Sequence, residues 1–121
     1  MPIRKIVHAI RRSTKPLTRE EGMKILARDK FRCQYCGLDG AASMDNALVM
    51  TVDFVMPRAA RGKKDPANLV AACRTCNILK GQHRFHSFEE AKHYVLQRRA
   101  EKRQDWEKNI APLGHKVAAT A

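Results

Sequence analysis

Apolar and polar positions alternate along this chain in patterns that change period several times. In residues 2–12, PIRKIVHAIRR, Ile3, Ile6, Val7 and Ile10 recur at helical spacing with Arg4, Lys5, Arg11 and Arg12 around them. This predicts a short amphipathic helix whose apolar face packs on the core; the other reading is a basic arm that orders on DNA. Ser13 to Pro16 break the pattern. Thr18, followed three residues later by Glu21, has the form of a capping box and predicts a helix over about residues 19–29. Met23, Leu26 and Ala27 are its expected apolar face. Residues 38–47 are small and polar and read as a loop.

The period then shifts. Residues 47–57, ALVMTVDFVMP, are β-branched and apolar until Pro57 and predict the first strand of a hairpin. PRAARGKKD follows as a basic loop, with Gly62 and Pro66 marking turns. Asn68 begins the return strand NLVAA, and Cys73 and Cys76 open a short helix that carries Asn77 and Lys80 and ends at Gly81. Gln82 to His86 form a linker. Ser87 and Glu90 repeat the capping pattern and start a helix expected to reach about Asn109. Phe88, Ala91, Val95 and Trp106 share a face, yet Arg98, Arg99, Lys102 and Arg103 crowd its second half. The first half should therefore dock and the second project, with Glu101 and Asp105 pairing with these bases. From Pro112 the tail is expected to be disordered.

These elements predict an α+β fold, a small hairpin-plus-helix unit with flanking helices. Segments 1–17, 18–86, 87–110 and 111–121 are the expected divisions: a basic arm, the central domain, a basic helix and a tail. With 121 residues, 44% of them hydrophobic, the chain can bury only a small core, and a metal cross-link would compensate.

Four cysteines supply one. Cys33/Cys36 and Cys73/Cys76 are C-x-x-C pairs, and two intervening residues let the backbone turn so that both sulfurs of a pair meet one ion. Four thiolates suit a structural Zn2+ site. Disulfides in a secreted domain are the alternative, disfavoured by the pairing and by the lack of an apolar leader after the N-terminal bases. Tyr35, between the first two cysteines, is expected to pack around the metal rather than act as a catalytic phenol.

Charge points to a polyanion. Lys and Arg number 24 against 12 Asp and Glu, a formal net charge of +12. Such an imbalance favours nucleic acid. No apolar run approaches the ~20 residues that span a bilayer, so a cytoplasmic location without membrane association is expected. Arg58, Arg61, Lys63 and Lys64 in the basic loop, with Lys80 and Arg84 beyond it, are the candidate phosphate contacts. Asp53 stands in an apolar strand, where an acid is costly to bury unless it is paired or holds a cation.

The order CQYCG, VDFVMPR, a basic loop containing Gly62, then NLVAACRTCNILK resembles the HNH endonuclease family over about residues 18–86. The resemblance implies a ββα-metal fold held by zinc on the four cysteines, and metal-dependent cleavage of phosphodiesters, with double-stranded DNA as the expected partner. It implies Asp53 and Asn77 as ligands of a catalytic Mg2+, Mn2+ or Ni2+, with Asn68 fixing the loop and the general base. That base is a histidine next to the aspartate in the family. Here the position is Phe54, which accepts no proton. Losing a general base typically costs ~10²–10⁴-fold in rate, so impaired cleavage is expected. The histidines present, His8, His83, His86, His93 and His115, lie outside the strand, and His83 and His86 are nearest the motif helix. A non-catalytic, zinc-stabilised DNA- or RNA-binding module is the alternative function, and a protein-interaction domain with an acidic partner is the third.

Overall fold

A computed structural model describes residues 16–114; the expected N-terminal helix, His8 and His115 lie outside them. Thr18 accepts a hydrogen bond from the Glu21 backbone N–H while the Glu21 side chain accepts from that of Thr18, and helix α1, Arg19–Arg28, starts there. Its inward residue is Ile25, with Met23 and Ala27 exposed. This corrects the expected apolar face, because the helix presents Ile25 and the flank of Gly22 to the sheet. Gly22 lies against Val52.

After α1 the chain turns through left-handed Lys30 and Phe31 into the first cysteine knuckle, where Gly37, at φ 82°, lets its N–H reach the Cys33 carbonyl. The expected loop over 38–47 contains helix α2, Met44–Leu48, started by Ser43 accepting from the Asn46 N–H. Strand β1 is consequently shorter than expected, Met50–Phe54. It pairs antiparallel with β2, Leu69–Cys73, in a register that sets Asp53 opposite Val70 and Phe54 opposite Leu69. Single turns of 3-10 helix at Arg58–Ala60 and Pro66–Asn68 shape the connecting loop. Helix α3, Arg74–Lys80, follows β2 directly and stops at Gly81, whose φ is 66°.

The hairpin is thereby sandwiched. α1 covers one face, and Val55 and Ala72 on the other join Phe85, Ala91 and Val95 in the main core. Helix α4, Phe88–Asp105, begins at Ser87, which accepts from the Glu90 N–H. Ala91 and Val95 are buried, whereas residues 101–110 are exposed throughout, so the helix docks by its first half and projects by its second. It runs on through a π turn at Trp106–Ile110, and helical geometry persists to residue 114. The expected disorder from Pro112 therefore does not hold for residues 112–114. Pro112 has no N–H to donate, and it follows closely on the widened turn that has already shifted the hydrogen-bond register of the helix. No described helix is long and apolar enough to cross a membrane.

Candidate metal centre and nucleic-acid cleft

The α+β hairpin delivers the cysteines to one point. Cys33 and Cys36 come from the knuckle, Cys73 closes β2 and caps α3, and Cys76 lies in the first turn of α3. All four are free thiols, and their sulfurs lie within 4.8 Å of one another. Four sulfurs about 2.3 Å from one zinc would sit about 3.8 Å apart, and the Cys36 and Cys73 sulfurs are separated by 3.8 Å. The donors and spacing therefore fit one tetrahedral metal ion such as zinc. Backbone N–H groups of Cys36 and Cys76 donate to Cys33 Sγ and Cys73 Sγ at 3.5 Å each, which favours thiolate charge.

The thiols share protons unequally. A hydrogen bond with Cys76 brings the Cys33 thiol down to about 4 against the opposing effect of burial, and the same contact pushes Cys76 up. Arg99 adds a guanidinium whose Nη1 donates to Cys76 Sγ at 3.5 Å. Sequence reading placed Arg99 on the charged, projecting half of the last helix. Its spacing of four residues from buried Val95 was the signal that it faces inward.

Beside this centre, Asp53, Phe54, Arg58, Asn77, Lys80 and Gln82 line a cleft of about 570 Å³ between β1 and α3. Strand alternation turns Asp53 towards α3 and Phe54 towards α1. Phe54 borders both this cleft and a shallow groove lined by Met23 and Leu26. Asp53 is 4% exposed. Its Oδ2 accepts a 2.5 Å hydrogen bond from the Tyr35 hydroxyl, and its Oδ1 lies 3.4 Å from the Lys80 ammonium. Burial pushes the Asp53 carboxyl up, opposed by Lys80 and then Tyr35. Tyr35, itself 2% exposed and packed on Phe88, is pushed up by burial and then by Asp53.

Lys80 is the residue most displaced from expectation. It is 1% exposed, donates to the Phe54 carbonyl at 2.9 Å, and holds its ammonium 5.7 Å from the Phe85 ring centre. It is not a surface phosphate contact. Lys64 departs in the same way, being 7% exposed with both Glu21 carboxylate oxygens at 3.0 Å. Arg58, Arg61, Lys63 and Arg84 remain on the exposed surface.

Asn68 clamps the intervening loop. Its Oδ1 accepts from the Met56 N–H at 2.8 Å, and its Nδ2 donates to the Met56 and Lys63 carbonyls at 3.1 Å each. Gly62 completes the turn, since a Cβ there would lie 1.7 Å from the Met56 carbonyl oxygen. His83 packs its ring 4.9 Å from that of Tyr94 and is not among the residues lining the cleft.

Residues 33–83 match the family model of the HNH endonucleases, and all four cysteines fall inside that span. No curated protein and no solved structure matches the chain.

Proposed function

We propose that this chain is a zinc-stabilised, HNH endonuclease-like domain that binds double-stranded DNA in the cytoplasm through fixed positive charge and cleaves phosphodiesters poorly or not at all. The observation that supports the reading is the cleft inside the matched span, which Asp53, Phe54 and Asn77 all line, with a phenyl ring at the position where the family resemblance implies the general base. Zinc on Cys33, Cys36, Cys73 and Cys76 fixes the scaffold. Arg58, Arg61, Lys63 and Arg84 meet phosphates, and Asn68 holds the loop that presents the first three.

A catalytic Mg2+, Mn2+ or Ni2+ on Asp53 and Asn77 is what the family implies. The residues present do not fit it as they stand, because the Lys80 ammonium already stands 3.4 Å from Asp53 Oδ1, where a second cation would be repelled, and Tyr35 donates to Oδ2. That pairing favours the second reading, a non-catalytic binding module, over a weak nuclease. Plasmid nicking with each of the three metals, run beside gel-shift binding, tests both. The expected result is DNA binding that weakens steeply with salt and little or no nicking. Vigorous metal-dependent nicking would overturn impaired catalysis; no shift at low salt would overturn DNA binding.

A further inference from the structure

Two buried lysines lie outside the metal centre among the described residues, Lys64 on Glu21 and Lys80 on Asp53, and the second pair lines the cleft. We propose that the Lys80 ammonium is a tethered cation beside Asp53 Oδ1, so that the cleft excludes divalent ions and a nucleic-acid phosphate is met by the exposed bases around it rather than by a bound metal. This rests on the DNA-binding reading above for its ligand, while the exclusion of metal stands on geometry.

A lysine stays charged in the interior only where partners compensate for lost water. Lys80 has three: Asp53 Oδ1 at 3.4 Å, the Phe54 carbonyl oxygen at 2.9 Å, and the face of Phe85. The carbonyl contact is the decisive one. It pins the ammonium to the backbone of β1 beside the carboxylate, so the charge does not swing aside when another cation approaches. A divalent ion on Asp53 would stand within a few ångströms of that ammonium, where like charges repel strongly at low dielectric. The other carboxylate oxygen already accepts from the Tyr35 hydroxyl, so a divalent ion would meet a carboxylate whose negative charge is already shared on both sides. Among the described residues every buried side-chain nitrogen and oxygen has a hydrogen-bond partner, those of Asp53 and Lys80 included.

The test is a titration of the zinc-loaded protein with Mn2+, following the paramagnetic resonance signal of free Mn2+, in wild type, Lys80→Ala, Lys80→Gln and the double variant Lys80→Ala with Asp53→Asn. Circular dichroism checks that each is folded. Wild type is expected to leave Mn2+ free. The folded lysine variants should gain one site, about tenfold or more tighter than any wild-type uptake, and the double variant should lose it. Stoichiometric Mn2+ uptake by wild type that Asp53→Asn abolishes would overturn the proposal, as would folded Lys80 variants that bind no more Mn2+ than wild type. If neither lysine variant folds, wild type against Asp53→Asn decides alone. Gel shifts on the same samples without added metal separate the two readings: failure to bind DNA there sinks the proposed function and leaves the Mn2+ result standing.

Discussion

Tyr35 and Asp53, 18 residues apart in the chain, share a 2.5 Å hydrogen bond that ties the cysteine knuckle to the first strand. The donor lies between the two cysteines of the first pair and the acceptor lines the cleft, so the metal centre and the cleft are mechanically one unit. Replacing Tyr35 by Phe keeps the ring on Phe88 but leaves Asp53 Oδ2 buried without its donor. The expected cost is about 1–3 kcal/mol, the usual penalty for an orphaned buried polar group, read from urea unfolding with zinc held constant. A loss indistinguishable from zero would mean that water replaces the hydroxyl.

Removing the metal should be far more severe. The matched span encloses only a small core, whose buried apolar residues are mostly alanine, valine and the cysteines themselves. Structural zinc sites of this type supply ~10 kcal/mol or more of folding free energy, so a strong chelator should unfold the domain, and elemental analysis should give one zinc per chain. Native protein without zinc, or with Cys33 and Cys36 in a disulfide, would refute the assignment.

Glu21 gives the fold a pH dependence whose sign can be worked out. Burial pushes its carboxyl up, but the Thr18 N–H and the Lys64 ammonium outweigh that and hold it below its ordinary 4.5. A lowered folded value means that the unfolded chain binds the proton more readily, so the stabilisation is complete above 4.5 and disappears as pH falls through the folded value. Glu21→Gln should therefore cost about 1–3 kcal/mol near neutral pH, and wild type and variant should converge in acid. Parallel stability curves down to the acid limit would contradict this.

The two classes of lysine should behave differently on DNA. Lys63 is exposed, so Lys63→Ala is expected to weaken binding for all sequences alike and to reduce the slope of log affinity against log salt by about one. Lys64 is held by Glu21, so Lys64→Ala should lower stability and leave that slope nearly unchanged. Equal slope changes in both variants would show that the Glu21 pair opens on DNA.

The contrast between those lysines also marks what a sequence reveals. Thr18 with Glu21, the C-x-x-C pairs and Gly81 were legible because each carries its chemistry within a few residues: a cap, a chelate, a left-handed stop. Lys64 and Lys80 read as surface bases because a sequence displays charge but not the distant carboxylate that neutralises it. Glu21 is 43 residues from Lys64. Helix α2 was missed for a different reason, since its five residues carry no apolar period and only the Ser43 cap announces it. Asp53 was recognised as a residue needing a partner, and the partners proved to be Tyr35, from between the first two cysteines, and Lys80, placed by the α3 packing.

Phe54→His tests how much of a nuclease survives. A histidine at 54 would sit at the margin of the cleft that Phe54 already lines and would restore a proton acceptor, an element typically worth ~10²–10⁴-fold in rate. A base acts only on water already set against an activated phosphate, and the Asp53 carboxylate is committed to Tyr35 and Lys80. Phe54→His alone is therefore expected to nick plasmid no faster than wild type with Mg2+, Mn2+ or Ni2+. Combined with Lys80→Ala, which frees one carboxylate oxygen, it should produce metal-dependent nicking above either single variant. A large gain from Phe54→His alone would show that Lys80 yields to metal once DNA is bound. Equal vigorous cleavage by every form would make another residue the base, with His83→Ala the first variant to examine. No cleavage by the double variant, if it binds both Mn2+ and DNA, would leave the chain as a binding module on a nuclease scaffold.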